Sequence, residues 1–212
     1  MKKGLTELVF ILDRSGSMAG LESDTIGGFN GMLKEQQKVS GEAVVTTVLF
    51  DDRYELLHDR IPIDGISMMT EEEYYVRGCT ALYDAIGLTI EKIQKVQEKT
   101  KEELCAEKVI FVITTDGCEN ASRHYNEQTI KKMIDAQEEK SGWEFIFLGA
   151  NMDAVKEAAR FGITEDRAVT YENDEEGVLL NYEVISETLC EMRCANGPID
   201  RSWKQKIERR RS

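Results

Sequence analysis

The chain has 212 residues, 41% of them hydrophobic, which is enough to bury one substantial core. Its 40 acidic residues outnumber 27 basic ones, and the formal net charge of -13 disfavours general binding to nucleic acid or to an anionic membrane. The longest apolar runs stop far short of the roughly 20 residues that a membrane helix needs, and the first residues do not fit a signal peptide. We therefore expect a soluble, cytoplasmic protein.

The cysteines and histidines exclude two further classes of site. Five cysteines, an odd number with no CxxC pair, do not suit a disulfide framework, so we expect free thiols, including Cys79 and Cys118. His58 and His124 are the only histidines and lie far apart in the sequence. A His-rich metal centre is therefore excluded, and a His-based catalytic triad has few candidates.

Short runs rich in valine, isoleucine and phenylalanine predict buried strands. A more polar run, 54–61, follows Phe50 after only three residues, a connection short enough for a hairpin, and predicts an antiparallel edge strand. The predicted buried strands are 8–12, 44–50, 109–115, 145–148 and 168–171.

Amphipathic stretches between these runs predict helices. One apolar stripe is carried by 82–93, a second by 130–134 behind a predicted Asn126 cap, and another helix spans 151–160. The last stripe has four-three-four-three spacing and predicts a helix that packs one face on the core: Val178, Tyr182, Ile185, Leu189 and Met192.

Strands that alternate with helices of this length predict a doubly wound α/β fold. We expect a mostly parallel central sheet of about six strands, with one antiparallel edge strand and helices on both faces. Residues 1–196 form a single predicted domain, and 197–212 a basic C-terminal tail that packs or frays on the acidic body. We favour this over an arm that binds RNA or a partner.

Two carboxylates directly follow buried strands. Asp13 ends the first predicted strand, and Asp116 follows the strand 109–115. Ligands of open α/β sheets bind beyond the carboxyl ends of strands, at the point where the winding order reverses. If these strands are neighbours at that point, the two carboxylates converge, and they repel each other unless a cation lies between them.

Ser15 and Ser17 alternate with Asp13 and add hydroxyl oxygens beside the carboxylate. Such hard donors suit Mg²⁺ or Mn²⁺ better than zinc or copper. The loop carries neither a dinucleotide fingerprint nor a Walker A motif, and Ser15 replaces the second Asp of haloacid-dehalogenase-type phosphatases. The plainer interpretation is a polar turn in which Ser15 or Ser17 caps the next helix.

Three stretches together carry a family resemblance: Asp13-x-Ser15-x-Ser17, then Gly78-Cys79-Thr80 before a helix, then Thr115-Asp116-Gly117 after a buried strand. In this order they resemble the metal-ion-dependent adhesion site (MIDAS) of von Willebrand factor type A domains. The resemblance covers roughly residues 5–192, and the chain looks like the small stand-alone bacterial or phage members. Three matched stretches are more specific than the first alone.

The resemblance implies a role for each matched residue. Ser15, Ser17 and Thr80 would bring hydroxyls to the ion, and Asp13 and Asp116 would bind it directly or through water. In that family a Glu or Asp of a partner protein completes the open coordination position. We therefore expect a non-enzymatic module that captures an acidic residue of an unidentified partner protein. The expected ion is Mg²⁺, with Mn²⁺ as the alternative.

Other interpretations of the same residues stay open. A Mg²⁺-dependent hydrolase or phosphatase acting through Asp13 would need a general acid, for which only His124 or Glu119 lies close in sequence. The third interpretation is a scaffold subunit whose metal site is vestigial. Taken alone, Thr80 fits the N-cap of a helix. Asp84 fits an exposed helix carboxylate, or an acceptor that orients Thr80 or a bound water. Tyr74 and Tyr75 fit half-buried packing or an aromatic contact patch.

Overall fold

The structure is a computed structural model that describes residues 1–194 and 199–211. Six strands form one sheet in the order β3-β2-β1-β4-β5-β6. β3 runs antiparallel to β2 at one edge, and all other neighbours are parallel. The predicted fold class is confirmed. The strands are β1 (Lys2–Asp13), β2 (Glu42–Phe50), β3 (Tyr54–Pro62), β4 (Ala106–Thr115), β5 (Glu144–Ala150) and β6 (Ala168–Tyr171).

Helices cover both faces of the sheet because the strand side chains alternate between two cores. Leu8 and Phe10 of β1 point into one core, and Val9 and Ile11 point into the other. The first core includes side chains of α1 (Glu22–Gln36), α5 (Glu175–Cys194) and α6 (Gln205–Arg211). The second includes side chains of α2 (Leu82–Lys99), α3 (Glu127–Ser141) and α4 (Ala154–Arg160).

Two helix predictions are confirmed in detail. The Asn126 side chain caps α3 by accepting a hydrogen bond from the backbone N–H of Thr129, at 3.0 Å. The predicted stripe of α5, from Val178 to Met192, is buried in the first core. In the described ranges, no helix has both the length and the apolar content that a membrane span requires.

β1 lies between β2 and β4, so this is where the winding order reverses. Its register pairs Asp13 with Phe50 of β2 and Leu12 with Thr114 of β4. β2, β1 and β4 are parallel, so their carboxyl ends lie at the same edge of the sheet. The loops after β1 and β4 are thereby brought side by side.

A buried arginine ties the loop after β1 to its neighbours. Arg14 is fully buried, and its Nε donates to Asp51 Oδ2 at 3.1 Å while its Nη1 donates to the carbonyl oxygen of Glu73 at 2.9 Å. Its Nη2 pairs with Glu55 on β3. The Arg14 carbonyl oxygen in turn accepts the N–H of Arg77 at 2.9 Å. Sequence analysis gave Arg14 no role, yet it joins β1 to the hairpin and to the segment before α2.

The described part of the predicted tail packs on the fold. Trp203 and Ile207 are 8% and 2% exposed and lie in the first core. Trp203 Nε1 donates to the carbonyl oxygen of Asp166 at 2.8 Å, and Lys204 Nζ donates to that of Ala168 at 3.0 Å. The predicted boundary between 196 and 197 lies outside the described residues. The many basic residues of this segment predicted solvent exposure. Trp203 and Ile207 are four residues apart, a spacing that places two apolar side chains on one face.

We expect Asp51→Asn to lower the free energy of unfolding by about 3 kcal/mol, because it removes the buried ionic partner of Arg14 and leaves only the half-exposed Glu55. Burial alone would raise the pKa of Asp51, but the hydrogen bond from Arg77, that from the backbone of Arg53 and the charges of Arg14 and Arg77 lower it. Its contribution is therefore present above about pH 4 and is lost as the pH falls further. Urea unfolding at several pH values should show the two proteins converging at low pH.

The control for this substitution is Asp64→Asn, at an exposed position. Its free energy of unfolding should stay within about 0.5 kcal/mol of the wild type. Equal losses in both variants would contradict a specific role for the Arg14–Asp51 pair.

We expect Trp203→Ala to lower the free energy of unfolding by about 3 kcal/mol, because it removes a large buried side chain and its hydrogen bond. Arg209→Ala, at an exposed position of α6, should change it by less than about 0.5 kcal/mol. Chemical denaturation measures both. A Trp203→Ala protein as stable as the wild type would show that the packing of Trp203 contributes nothing to the stability of the fold.

Candidate metal centre

The structure brings the five predicted site residues together where β1 and β4 end. Thr80 Oγ1 donates to Ser15 Oγ at 3.1 Å, and the hydroxyls of Ser15 and Ser17 are 3.1 Å apart. Ser17 Oγ also donates to Asp116 Oδ1. All are buried except Ser17, which is exposed. The cluster therefore opens to solvent on the side of Ser17.

Asp13 is anchored on both carboxylate oxygens. Oδ1 accepts the backbone N–H of Ser15 at 2.7 Å, and Oδ2 accepts the hydroxyl of Thr115 at 2.6 Å. Its carbonyl oxygen accepts the hydroxyl of Tyr74 at 2.6 Å. Tyr74 is buried and so belongs to the support of the site, whereas Tyr75 is exposed.

The hydroxyls of the cluster do not act as helix caps. α2 begins at Leu82 with Ala81 as its N-cap residue, and the N–H of Tyr83 in its first turn donates to Glu119 rather than to Thr80. The residue before α1 is Leu21, and Ser15 makes no cap bond to the short turn that follows it. Thr80 is held through its backbone instead, since its N–H donates to Asn120 Oδ1 at 3.0 Å. The capping interpretation of these residues is therefore wrong.

Gly117 permits the close approach of the loops. A Cβ atom at this position would lie 3.0 Å from Thr80 Oγ1 and 3.3 Å from Ser17 Oγ, tighter than ordinary contacts. Only glycine lets the loop after β4 reach the two hydroxyls without displacing one of them.

Both carboxylates are buried without a compensating positive charge. Burial raises the pKa of Asp13 to about 6, and the charge of Asp116 adds to this, against hydrogen bonds from Thr115 and Ser15. Burial also raises the pKa of Asp116, against hydrogen bonds from Ser17 and Asn173. Within residues 1–194 and 199–211 neither forms an ion pair, since Arg14 turns to Asp51 and Glu55. A cation at this place would remove the penalty of burying them.

The donor set fits a hard divalent cation. It consists of two carboxylates and three hydroxyls, the oxygen ligands that Mg²⁺ and Mn²⁺ take. Elsewhere in the described ranges, as here, no three His, Cys, Asp or Glu side chains are grouped as metal ligands. The assignment of Asp13, Ser15, Ser17, Thr80 and Asp116 as ligands stays a prediction, now with the residues in contact.

Asn173 also belongs to the cluster, although the sequence motifs do not include it. It lies two residues after the end of β6, and its Nδ2 donates to Asp116 Oδ2 at 3.1 Å. Its Oδ1 is buried and has no hydrogen-bond partner among the described atoms. The signal was available, because a polar side chain after a strand lies at the same edge of a parallel sheet. The sequence did not reveal that this loop bends back across the sheet to Asp116.

Two acidic residues near the cluster hold loops. Asp84 accepts the backbone N–H groups of Arg123, His124 and Tyr125 at 2.8–2.9 Å, so the idea that it is a free surface carboxylate or orients Thr80 is wrong. Glu119 accepts N–H groups on both carboxylate oxygens, from Tyr83 at 2.9 Å and from residue 122 at 2.7 Å. These bonds fasten the loop after β4 onto the start of α2.

Neither a protein-family model nor a curated protein sequence matches the chain, so its likeness to known proteins rests on structure. Proximal thread matrix protein 1 of the mussel byssus, solved with a zinc-occupied MIDAS motif, aligns with a TM-score of 0.59 at 15% identity, covering 87% of this chain and 46% of that one. The ArnB paralog VWA2 from Sulfolobus acidocaldarius aligns with a TM-score of 0.53 at 19% identity, covering 90% and 45%.

The von Willebrand factor domain of the type V pili tip protein Mfa5 from Porphyromonas gingivalis aligns over nearly its whole length. Its TM-score is 0.59 at 9% identity, covering 92% of this chain and 98% of that one. The chain thus spans less than half of the mussel and Sulfolobus chains but nearly all of this domain. Likenesses at such identities establish the fold, and the fold of this chain is that of a von Willebrand factor type A domain.

Proposed function

We propose that this protein is a divalent-metal-dependent binding module that captures a carboxylate of a partner protein. The ion, Mg²⁺ or Mn²⁺, would be held by the cluster Asp13, Ser15, Ser17, Thr80 and Asp116. The observation that carries the proposal is the pair of buried carboxylates with no counter-charge, surrounded by three hydroxyls. The zinc-occupied MIDAS of the mussel protein supports a divalent ion at this place in the fold.

The charge of the chain gives the ion a second purpose. With a net charge of -13, the protein repels an approaching acidic surface. An ion with an open coordination position reverses this locally, because it attracts a partner's Asp or Glu directly above the exposed Ser17. The bond forms only when both the ion and the acid are present, which makes the interaction dependent on metal.

The arrangement supports binding rather than hydrolysis. A hydrolase using this ion needs a general acid, and the sequence offers Glu119 and His124. Glu119 uses both carboxylate oxygens to hold backbone N–H groups. The backbone of His124 is fixed by Asp84, and its ring lines a groove beside α2. In the described ranges neither residue forms a hydrogen bond with a side chain of the cluster.

The partner side of the proposal is tested by selecting a random-peptide library displayed on phage against the immobilised full chain. We expect clones that bind with Mg²⁺, elute with chelator and share one Asp or Glu. Peptides that bind equally in chelator would contradict metal-mediated capture. Turnover of p-nitrophenyl phosphate that is abolished in Asp13→Asn would establish the hydrolase instead.

We expect Mg²⁺ at about one hundred times its dissociation constant to add about 2.7 kcal/mol to the free energy of unfolding and to raise the melting temperature by about 5–10 °C. Asp116→Ala should abolish most of this shift, because it removes one of the two carboxylates. Glu139→Ala, an exposed acid on α3, is the matched control and should keep the full shift. A melting curve that ignores Mg²⁺ and chelator would contradict the metal site.

We expect Asn173→Ala to weaken Mg²⁺ binding about tenfold, since residues that orient a ligand commonly contribute 10–100-fold to metal affinity. The physical reason is that Asp116 loses the amide that holds Oδ2. Calorimetric titration with Mg²⁺ measures the change, and Gln128→Ala, an exposed amide on α3, serves as control. An unchanged affinity would show that Asn173 does not position Asp116.

A further inference from the structure

A groove runs beside the candidate metal centre and is not used by it. It lies between the β2–β3 hairpin, the first turns of α2 and the loop after β4, and has a volume of about 430 Å³. We call it the α2 groove. Residues at its wall and floor include Arg53, Tyr54, Asp84, Leu88, Arg123 and His124.

The groove is continuous with the rim of the metal cluster. Ala81, which directly follows Thr80, lies in its floor. Ala121 lies in its wall and donates its N–H to the Thr80 carbonyl oxygen at 3.2 Å. The proposed metal ligand Thr80 is therefore covalently joined to one lining residue and hydrogen-bonded to another. A peptide whose carboxylate reached the ion would pass the mouth of the groove within a few residues.

Two arginines of the groove have no anionic partner. Arg53 and Arg123 are exposed, and neither forms an ion pair within residues 1–194 and 199–211. Carboxylates are in excess in this chain, which has 40 acidic residues against 27 basic ones. Arginines elsewhere on the molecule commonly pair with carboxylates, as do Arg14, Arg60, Arg77, Arg160, Arg167, Arg201 and Arg210.

The two acids of the groove, Asp52 and Asp84, form no ion pair with Arg53 or Arg123 within the described residues. Asp84 directs its carboxylate at three backbone N–H groups, which themselves carry partial positive charge. Asp52 is exposed, with its Oδ1 beside Gly78, and it forms no ion pair in the part of the chain that the structure describes. The guanidinium groups of Arg53 and Arg123 are the exposed positive charges of the groove, and the exposed carboxylate of Asp52 and the imidazole of His124 line it with them.

The backbone on both sides of the groove is held in place. Asp51 Oδ1 accepts the N–H of Arg53 at 2.8 Å, which closes the tip of the hairpin. Asp84 accepts the N–H of Arg123 at 2.8 Å on the opposite side. The two arginines thus start from fixed positions, which reduces the conformational entropy lost when they bind.

We propose that the α2 groove binds a second acidic side chain of the same partner segment whose first acid completes the metal site. The proposal rests on the proposed function, and it narrows the partner to an acidic segment with at least two carboxylates a few residues apart. The ion provides the obligatory contact, and Arg53 and Arg123 select segments with further negative charge.

The test uses peptides selected as described above, on the full chain in Mg²⁺. We expect the clones to carry, besides the shared acid, a second Asp or Glu enriched at a fixed spacing. The double variant Arg53→Gln/Arg123→Gln should bind such a peptide about fivefold more weakly, the effect of losing two exposed ion pairs. A peptide with the second acid replaced by Gln should bind the variant and the wild type equally.

The matched control is Lys34→Gln/Lys140→Gln, which removes the same charge from exposed positions near the carboxyl ends of α1 and α3, away from the groove. It should leave the affinity within about twofold, whereas a general charge effect would weaken binding equally in both double variants and overturn the proposal. The Mg²⁺-induced rise in melting temperature, measured without peptide, should persist in all variants and shows that the metal site is intact.

The possible failures are distinguishable. Clones that need Mg²⁺ and share one acid, but show no second acid at a fixed spacing, overturn the role of the groove and leave the proposed function standing. A selection without any Mg²⁺-dependent clone overturns the proposed function and this inference with it. If selection on the Arg53→Gln/Arg123→Gln protein enriches the second acid equally, another surface binds that acid, and the role of the groove is overturned.

Discussion

The parallel pairing of β1 with β4 is the constraint on which the site depends. It brings Asp13 and Asp116 to one edge of the sheet, and the hydrophobic cores on both faces keep water from solvating them fully. Burial raises the cost of ionising both carboxylates, and the charge of Asp116 adds to that cost for Asp13. The sheet cannot relieve that cost by moving the strands apart without breaking the ladder between them. The relief must come from a proton or from a cation.

The adjacent residue shows the opposite solution to the same problem. Arg14 is buried next to Asp13, but its guanidinium is surrounded by acceptors, with Asp51 and Glu55 as ionic partners. The buried positive charge at this edge of the sheet thus pairs with carboxylates on the hairpin side. Side chains of consecutive strand residues point to opposite sides, and this separates a satisfied charge cluster from an unsatisfied one.

The sequence predicted much of the fold because the fold depends on local patterns. Apolar runs, helix stripes and the short link before Tyr54 each report one element, and the alternation of strands and helices reports the topology. The five residues of the candidate site were predictable because they follow strand ends or precede a helix. What local patterns do not contain is the path of the loops. Asn173 reaches Asp116 only because the loop after β6 turns back over the sheet.

Tyr74 and Trp203 illustrate two further limits of local patterns. The hydroxyl of Tyr74 supports Asp13 from a segment without regular structure, where no periodicity indicates which way a side chain points. Trp203 lies among basic residues whose charge predicts solvent exposure, but one large aromatic side chain can outweigh several charges that stay in water. In both places the partner is distant in sequence, so the contact follows from the assembled fold alone.

The last described helix has a consequence for how the chain can be handled and joined to other proteins. Arg210 pairs with Glu172, Asp174 and Glu176, which surround Asn173 in sequence. Asp116, Asn173, its neighbour Asp174 and Arg210 thus form a short relay from the sheet edge to residue 210. An affinity tag, a fused domain or a protease that displaces this helix would remove the ion pairs of Arg210 and loosen the loop that carries Asn173 to Asp116, at a distance from the cut or junction.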